Sequence, residues 1–214
     1  MFDNVANEST KRLNDSKQIL VHIESLGDIN DAKVFKGTFF VLLYGALEYT
    51  ISHCVQQCIN EINNTSTNYT ALKNTLYALI FDPECTAIIN ARDKKWQKRY
   101  ELFSLISKDE TRVINDTLFP CTIGNMKYNQ LESIWKTFGI TEPIVPDLSL
   151  KSRLSELTDN RNKIAHGRET ASDVGRNYDN DRLKHIYNEI SGYCSYVISV
   201  FEDYVNNQKY LKNE

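Results

Sequence analysis

Few breaks are written into this chain. Four prolines and eight glycines in 214 residues are too few for a fold of many tight turns, so long helices with short connections are expected. No stretch alternates apolar and polar residues with period two for long enough to read as a strand, which excludes β-sandwiches and α/β sheets. A dominant charge sign is also missing. Lys and Arg number 25 against 28 Asp and Glu, a formal net charge of −3. Nothing here is basic overall, so any nucleic-acid partner has to be met by a local patch. A disulfide framework is missing as well. Cys54, Cys58, Cys85, Cys121 and Cys194 are odd in number and scattered. With no stretch that reads as a signal peptide, they point to the reducing cytoplasm. Cys54 and Cys58 lie four apart on a helical stretch beside His53, but no two further ligands converge on them. Small buried apolar residues are the expectation, not zinc. The triplets that begin at Asn64 and Asn68 match glycosylation acceptors. Without secretion they are by-products of an Asn- and Thr-rich composition.

The longest apolar run, Phe39 to Ile59, is interrupted by Glu48, His53, Gln56 and Gln57. That is a poor membrane span and a good central helix of a bundle. It belongs to a helix expected over 32–63, with Phe35, Phe39, Leu42, Leu43, Ala46, Leu47, Ile51 and Val55 at helical spacing. Before it, 5–26 reads as an amphipathic helix ended by Gly27. Asp28-Ile29-Asn30-Asp31 reads as a turn, with Asp31 as a cap. After it, 63–68 is a polar loop. A shorter helix over 69–81 is stopped by Asp82-Pro83, and 84–107 is mostly helical. Pro120 forbids a helix through 111–122. Helices follow at 128–138, ended by Gly139, and from Ser149, expected as a cap. An extended connector with Pro143 and Pro146 lies between them. Then 167–180 is a polar loop, and a long amphipathic helix runs over 180–211. The fold class is all-α, an antiparallel bundle with long central and C-terminal helices, in one domain over 1–214. Ample length and the 12 tyrosines and 9 phenylalanines supply its core.

Against this background Arg161-Asn162-Lys163-Ile164-Ala165-His166-Gly167 stands out, because the chain holds four histidines. An arginine gives a fixed cation. A histidine exchanges protons near neutral pH. Together they supply what a phosphodiester needs to be cleaved without a metal or cofactor. Five helical steps place His166 roughly 140° from Arg161, so the two do not stack. Asn162 and His166 do share a face, so Asn162 is placed to orient the ring. One helix presents the set loosely, whereas two copies across a two-fold axis put two arginines and two histidines in one cleft. The same residues have a structural reading: Arg and His suit a helix C-terminus, with Gly167 as its left-handed stop.

The spacing resembles the R-x4–6-H signature of the HEPN superfamily. Three longer segments, 35–50, 130–140 and 154–167, resemble the first core helix, the segment before the motif helix, and the motif helix of stand-alone MAE-type HEPN nucleases. The likeness covers roughly 32–210. It implies an all-helical dimeric ribonuclease, often tied to toxin–antitoxin or phage-defence loci, with Arg161, Asn162 and His166 as the motif residues. Its substrate would be RNA. Its partners would be a second copy and an antitoxin or defence-system protein. Toxins controlled by adenylylation carry a tyrosine two residues after the histidine, and this chain has Arg168 there. The resemblance therefore lends no support to that control. The runner-up is a non-catalytic module that binds RNA or nucleotide, or docks a partner protein, with the same cleft.

Two further features bear on a site. Glu48, acidic within an apolar helix, either pairs with Arg161 and holds it or lies at the bundle surface. The run Arg92-Asp93-Lys94-Lys95-Trp96-Gln97-Lys98-Arg99-Tyr100 is the strongest basic stretch. Its Arg92, Lys94, Lys95, Lys98 and Arg99 suit phosphates and Trp96 suits a base, though a solvated helix face has the same composition. His22, His53 and His185 have no suggestive company.

Overall fold

The computed structural model describes residues 1–27, 30–121 and 124–212. Among them the chain forms α1 (Asp3–Leu26), α2 (Asn30–Asn64), α3 (Tyr77–Ile80), α4 (Asp82–Asn90), α5 (Lys95–Ile106), α6 (Tyr128–Phe138), α7 (Ser149–Ala165), α8 (Ala171–Gly175) and α9 (Asn180–Asn206). Of the expected turn 28–31, residues 28–29 lie outside the described residues, whereas Asn30 and Asp31 already belong to α2, so Asp31 lies within the helix and not at its cap position. Isolated bridges pair Asn68 with Thr111 and Leu72 with Leu211, and no strand forms among the described residues.

Side-chain pairs fix the directions. The Ser9 and Thr50 hydroxyls are 2.6 Å apart and His22 meets Phe35 edge-on, so α1 runs antiparallel to α2. Arg153 and Glu156 on α7 bond Glu189 and Arg182 on α9, so α7 runs antiparallel to α9. Helix α2 is central because it buries apolar residues over a broad face, more than a single stripe. Phe39, Phe40, Leu43, Tyr44, Leu47, Ile51, Val55 and Ile59 are all buried, and α1, α7, α8 and α9 all pack on it. By length and composition the stretch Ala32–Asn64, of mean hydropathy 1.2, is apolar enough to cross a membrane. Its packing on four helices is that of a core element. Cys54, Cys58 and Cys194 are free and buried, and burial pushes all three thiols up. His53 stacks on Tyr49 and bonds its carbonyl. No three His, Cys, Asp or Glu side chains gather to hold a metal among the described residues.

Several local expectations need correction. The stretch 69–81 is two 3-10 turns and the short α3. A helix does end before Asp82-Pro83, at Ile80, but Pro83 also stands in the first turn of α4, where its missing N–H has no bond to lose. Helices α4 and α5 are separate, divided at 91–94. Ser149 does not cap α7: it is the first residue of the helix, the cap position falls on Leu148, and the Ser149 N–H bonds the Asp147 carboxylate at 2.7 Å. The polar stretch 167–180 holds α8, fixed by a capping box between Thr170 and Asp173. Helix α9 ends at Asn206, five residues early.

Candidate active site

The motif occupies the last turn of α7. Leu150, Leu154 and Leu157 bury one side of that helix and Arg153, Thr158 and Asn160 are buried with them. The helix ends in a Schellman motif. His166 is the cap residue, Gly167 adopts φ 65°, the Gly167 N–H bonds the Ile164 carbonyl, and the Arg168 N–H bonds the Lys163 carbonyl at 2.8 Å. Gly167 therefore fixes the backbone from which His166 projects. A Cβ at Gly167 would meet nothing within 4 Å, so Gly167→Ala carries only the left-handed backbone penalty, about 1 kcal/mol. A thermal melt should fall by about 2–4 °C. An unchanged melt would mean that the turn does not hold His166.

Arg161 and His166 face different surroundings. The Arg161 guanidinium lies 4.6 Å from the centre of the Tyr44 ring, and Nη1 donates to Asn162 Oδ1 at 2.9 Å. No carboxylate forms an ion pair with it among the described residues. Tyr44 is itself anchored. Its hydroxyl accepts from the Met126 N–H at 3.2 Å and donates to Glu48 at 3.3 Å. Burial, with a smaller contribution from Glu48, pushes this phenol up to about 12, so it stays neutral. Glu48, half-buried, thus reaches the site through Tyr44 and forms no ion pair with Arg161; neither sequence alternative describes it fully. Asn162 does not orient His166. It accepts from Arg161 and donates to Asn125 at 3.1 Å. His166 is exposed, and its ring bonds no described residue.

Arg153, two turns earlier on the same helix, is the contrast. It is buried and its guanidinium is bonded to both Glu156 and Glu189. Tyr178 and Arg182 close the same network on Glu156, and Asn160 donates to the Tyr178 hydroxyl. Arg153 is neutralised and structural. Arg161 has no such carboxylate, and most of its five N–H donors bond no described residue. Nothing in the residue pattern marks this difference, since both arginines sit on one helix amid similar residues. Tyr44 was missed for the same reason, as one more aromatic in an apolar run.

The basic run lies apart from the motif. Arg92 and Lys94 precede α5, which carries Lys95, Trp96, Lys98 and Arg99. Lys98 is paired with Glu101 at 2.7 Å. Arg92, Lys94, Lys95 and Arg99 are exposed and form no ion pair with a described residue. His22 and His185 are exposed, His185 lying 3.5 Å from Glu189.

No curated protein and no solved structure matches this chain. The family model described as RiboL-PSP-HEPN matches residues 7–207. That span takes in most of α1, the central α2, the motif helix α7 and all of α9, so the chain belongs to the RiboL-PSP-HEPN family of the HEPN superfamily.

Proposed function

We propose that this protein is a metal-independent endoribonuclease of the cytoplasm, a toxin or phage-defence effector that works as a homodimer with a composite site. The observation that carries the reading is the state of Arg161. It is held on Tyr44 with no carboxylate partner among the described residues, a few residues from a His166 whose ring bonds none of them, in a HEPN chain. A half-buried guanidinium with free donors is set to receive an anion. The closer likeness to MAE-type nucleases rests on the three sequence segments and is part of the proposal.

The chemistry balances without a cofactor. The neutral His166 ring takes the proton of a ribose 2′-OH. That oxygen attacks the adjacent phosphorus, and Arg161 stabilises the charge on the non-bridging oxygens. The bond to the 5′-oxygen breaks, and a protonated His166 of the second copy gives that oxygen its proton. The products are a 2′,3′-cyclic phosphate and a 5′-hydroxyl.

Cleavage is expected to persist in excess EDTA, because no step uses a Lewis acid. It is expected to stop when the nucleotide 5′ of the cut carries 2′-deoxyribose, because the nucleophile is gone. The measurement is gel-resolved cleavage of a short RNA and its site-specific deoxy analogue, each with and without EDTA. Strict dependence on magnesium, or equal cutting of the analogue, would overturn the mechanism. Tight binding of both strands with no cutting at all would leave the non-catalytic RNA module.

A further inference from the structure

The hairpin of α4 and α5 does something unusual for an element rich in aromatics: neither helix contributes a buried side chain. Trp96, Tyr100 and Phe103 recur at i, i+4 and i+7, which aligns them on one face of α5. They are 80%, 74% and 66% exposed. With Ile88 of α4, Arg99 and Leu102 they line one open groove. Monomer surfaces seldom leave such a face uncovered without a ligand for it.

Charge decides between occupants. Arg99 lines the groove, Lys95 opens α5 and Arg92 and Lys94 precede it; none of the four forms an ion pair with a described residue, in a chain of net charge −3. A second copy of this hairpin would bring like charges together, whereas a polyanion is complementary. Among polyanions, a duplex hides its bases. Three exposed rings in a row fit the unpaired bases of a single strand, with cations tracking its phosphates. Arg99 already lies over the Trp96 ring, 4.8 Å from its centre, which leaves the other ring face for a base.

We propose that the α4–α5 hairpin is a single-stranded RNA binding arm, with Trp96, Tyr100 and Phe103 stacking successive bases and Arg92, Lys94, Lys95 and Arg99 holding phosphates. This extends the reading of RNA as substrate, but it concerns holding the strand and not cutting it. The arm is anchored beyond the C-terminal end of α2: the Tyr69 hydroxyl donates to the Leu105 carbonyl of α5, and the segment that follows the arm is held where Asn63 bonds Ile114 through both its side-chain atoms. From there to Tyr44, α2 runs about 28 Å at 1.5 Å per residue, so the arm engages RNA away from the cut.

The test uses the only two tryptophans. Trp135 is 2% exposed, so a soluble strand reaches Trp96 alone. A 2′-O-methyl oligouridine of about 20 nucleotides, which the proposed reaction cannot cut, is titrated into the wild-type protein while tryptophan fluorescence is followed. The expected result is saturable quenching. Affinity, measured by anisotropy of a labelled strand, should fall at least about tenfold in Tyr100→Ala/Phe103→Ala. In Arg92→Gln/Lys95→Gln/Arg99→Gln the log–log salt slope should shrink by about 2, from roughly 0.7 per lost phosphate contact. All these side chains are exposed, and a thermal melt checks that the variants fold. An RNA duplex of the same length should not quench. Equal quenching by the duplex would overturn stacking. No quenching by the single strand, with loss of dimer mass by light scattering in the Tyr100→Ala/Phe103→Ala variant, would make the face a contact between copies or with a partner protein. Binding here is read without turnover, so it stands or falls separately from Arg161 and His166. In cleavage of long RNA the aromatic variant should raise KM and leave kcat unchanged.

Discussion

Arg161→Ala and His166→Ala are each expected to remove RNA cleavage while leaving a folded protein. Loss of one preorganised charge donor at a developing oxyanion lowers kcat by about a hundred- to a thousandfold. Loss of a general base or acid lowers it by about a hundred- to ten-thousandfold. The two differ in stability. His166 is exposed and bonds no described residue, so its removal should change the unfolding free energy by less than about 0.5 kcal/mol. Arg161 is half-buried on Tyr44, so its removal should cost about 1 kcal/mol through the lost ring contact. Arg161→Lys keeps the charge but not the planar fork. It should restore the melt more than the rate. Full activity in both alanine variants would return the motif to its structural role at a helix end.

Mixing separates a composite site from two independent ones. If each cleft needs a His166 from both copies, a dimer of one wild-type and one His166→Ala chain is dead. Activity then follows the square of the wild-type fraction, roughly a quarter at an equal mixture of the two in a two-fold dimer. Independent sites would give roughly half. The measurement is initial rate against mixing ratio after exchange of subunits. A linear dependence would overturn the composite site and leave the single-copy chemistry standing.

Much of the bundle was legible because long helices leave a strong period in their apolar residues. The buried set Leu183, Ile186, Ile190, Tyr193, Val197, Phe201 and Tyr204 of α9 is a pattern that only a helix explains. Gly139, in the left-handed conformation at the end of α6, was a clear stop because glycine takes that conformation without a Cβ penalty. The errors fell where local rules compete. Pro83 breaks a helix when it follows one and begins a helix when it precedes one, and composition does not say which. Helix α8 is five residues long, too short for a period, and only its Thr170–Asp173 box marked it. The site was legible as residue types and not as contacts. Tyr44 and Arg161 meet through packing of α2 on α7, which no spacing along the chain encodes.

That packing depends on two glycines, and they carry the largest expected effects on stability. Helix α8 lies on α2 backbone to backbone. A Cβ built on Gly37 would stand 2.0 Å from the Ala171 carbonyl oxygen, and one on Gly175 would stand 1.9 Å from the Lys33 carbonyl oxygen. Neither contact involves a side chain that can swing aside, so the helices have to separate. Separation loosens buried Val174 and the Phe40–Tyr178 ring contact. It also strains the bond from Asn160 on α7 to Tyr178, which ties the motif helix to the segment after α8. Gly37→Ala and Gly175→Ala are each expected to destabilise by about 3 kcal/mol, the upper range for overpacking, and to lower the melting midpoint by about 6–12 °C. Gly45, on the same central helix, and Gly192 on α9 would meet nothing within 4 Å with a Cβ added. There the same substitution should stabilise by about 0.5–1 kcal/mol, because alanine is the better helix former. One chemical change thus has opposite signs at positions eight residues apart on α2. Thermal melts of the four single variants measure it. A neutral Gly37→Ala, or one that behaves like Gly45→Ala, would show that α8 does not dock on α2 as described, and the anchoring of the motif helix through Tyr178 would fall with it.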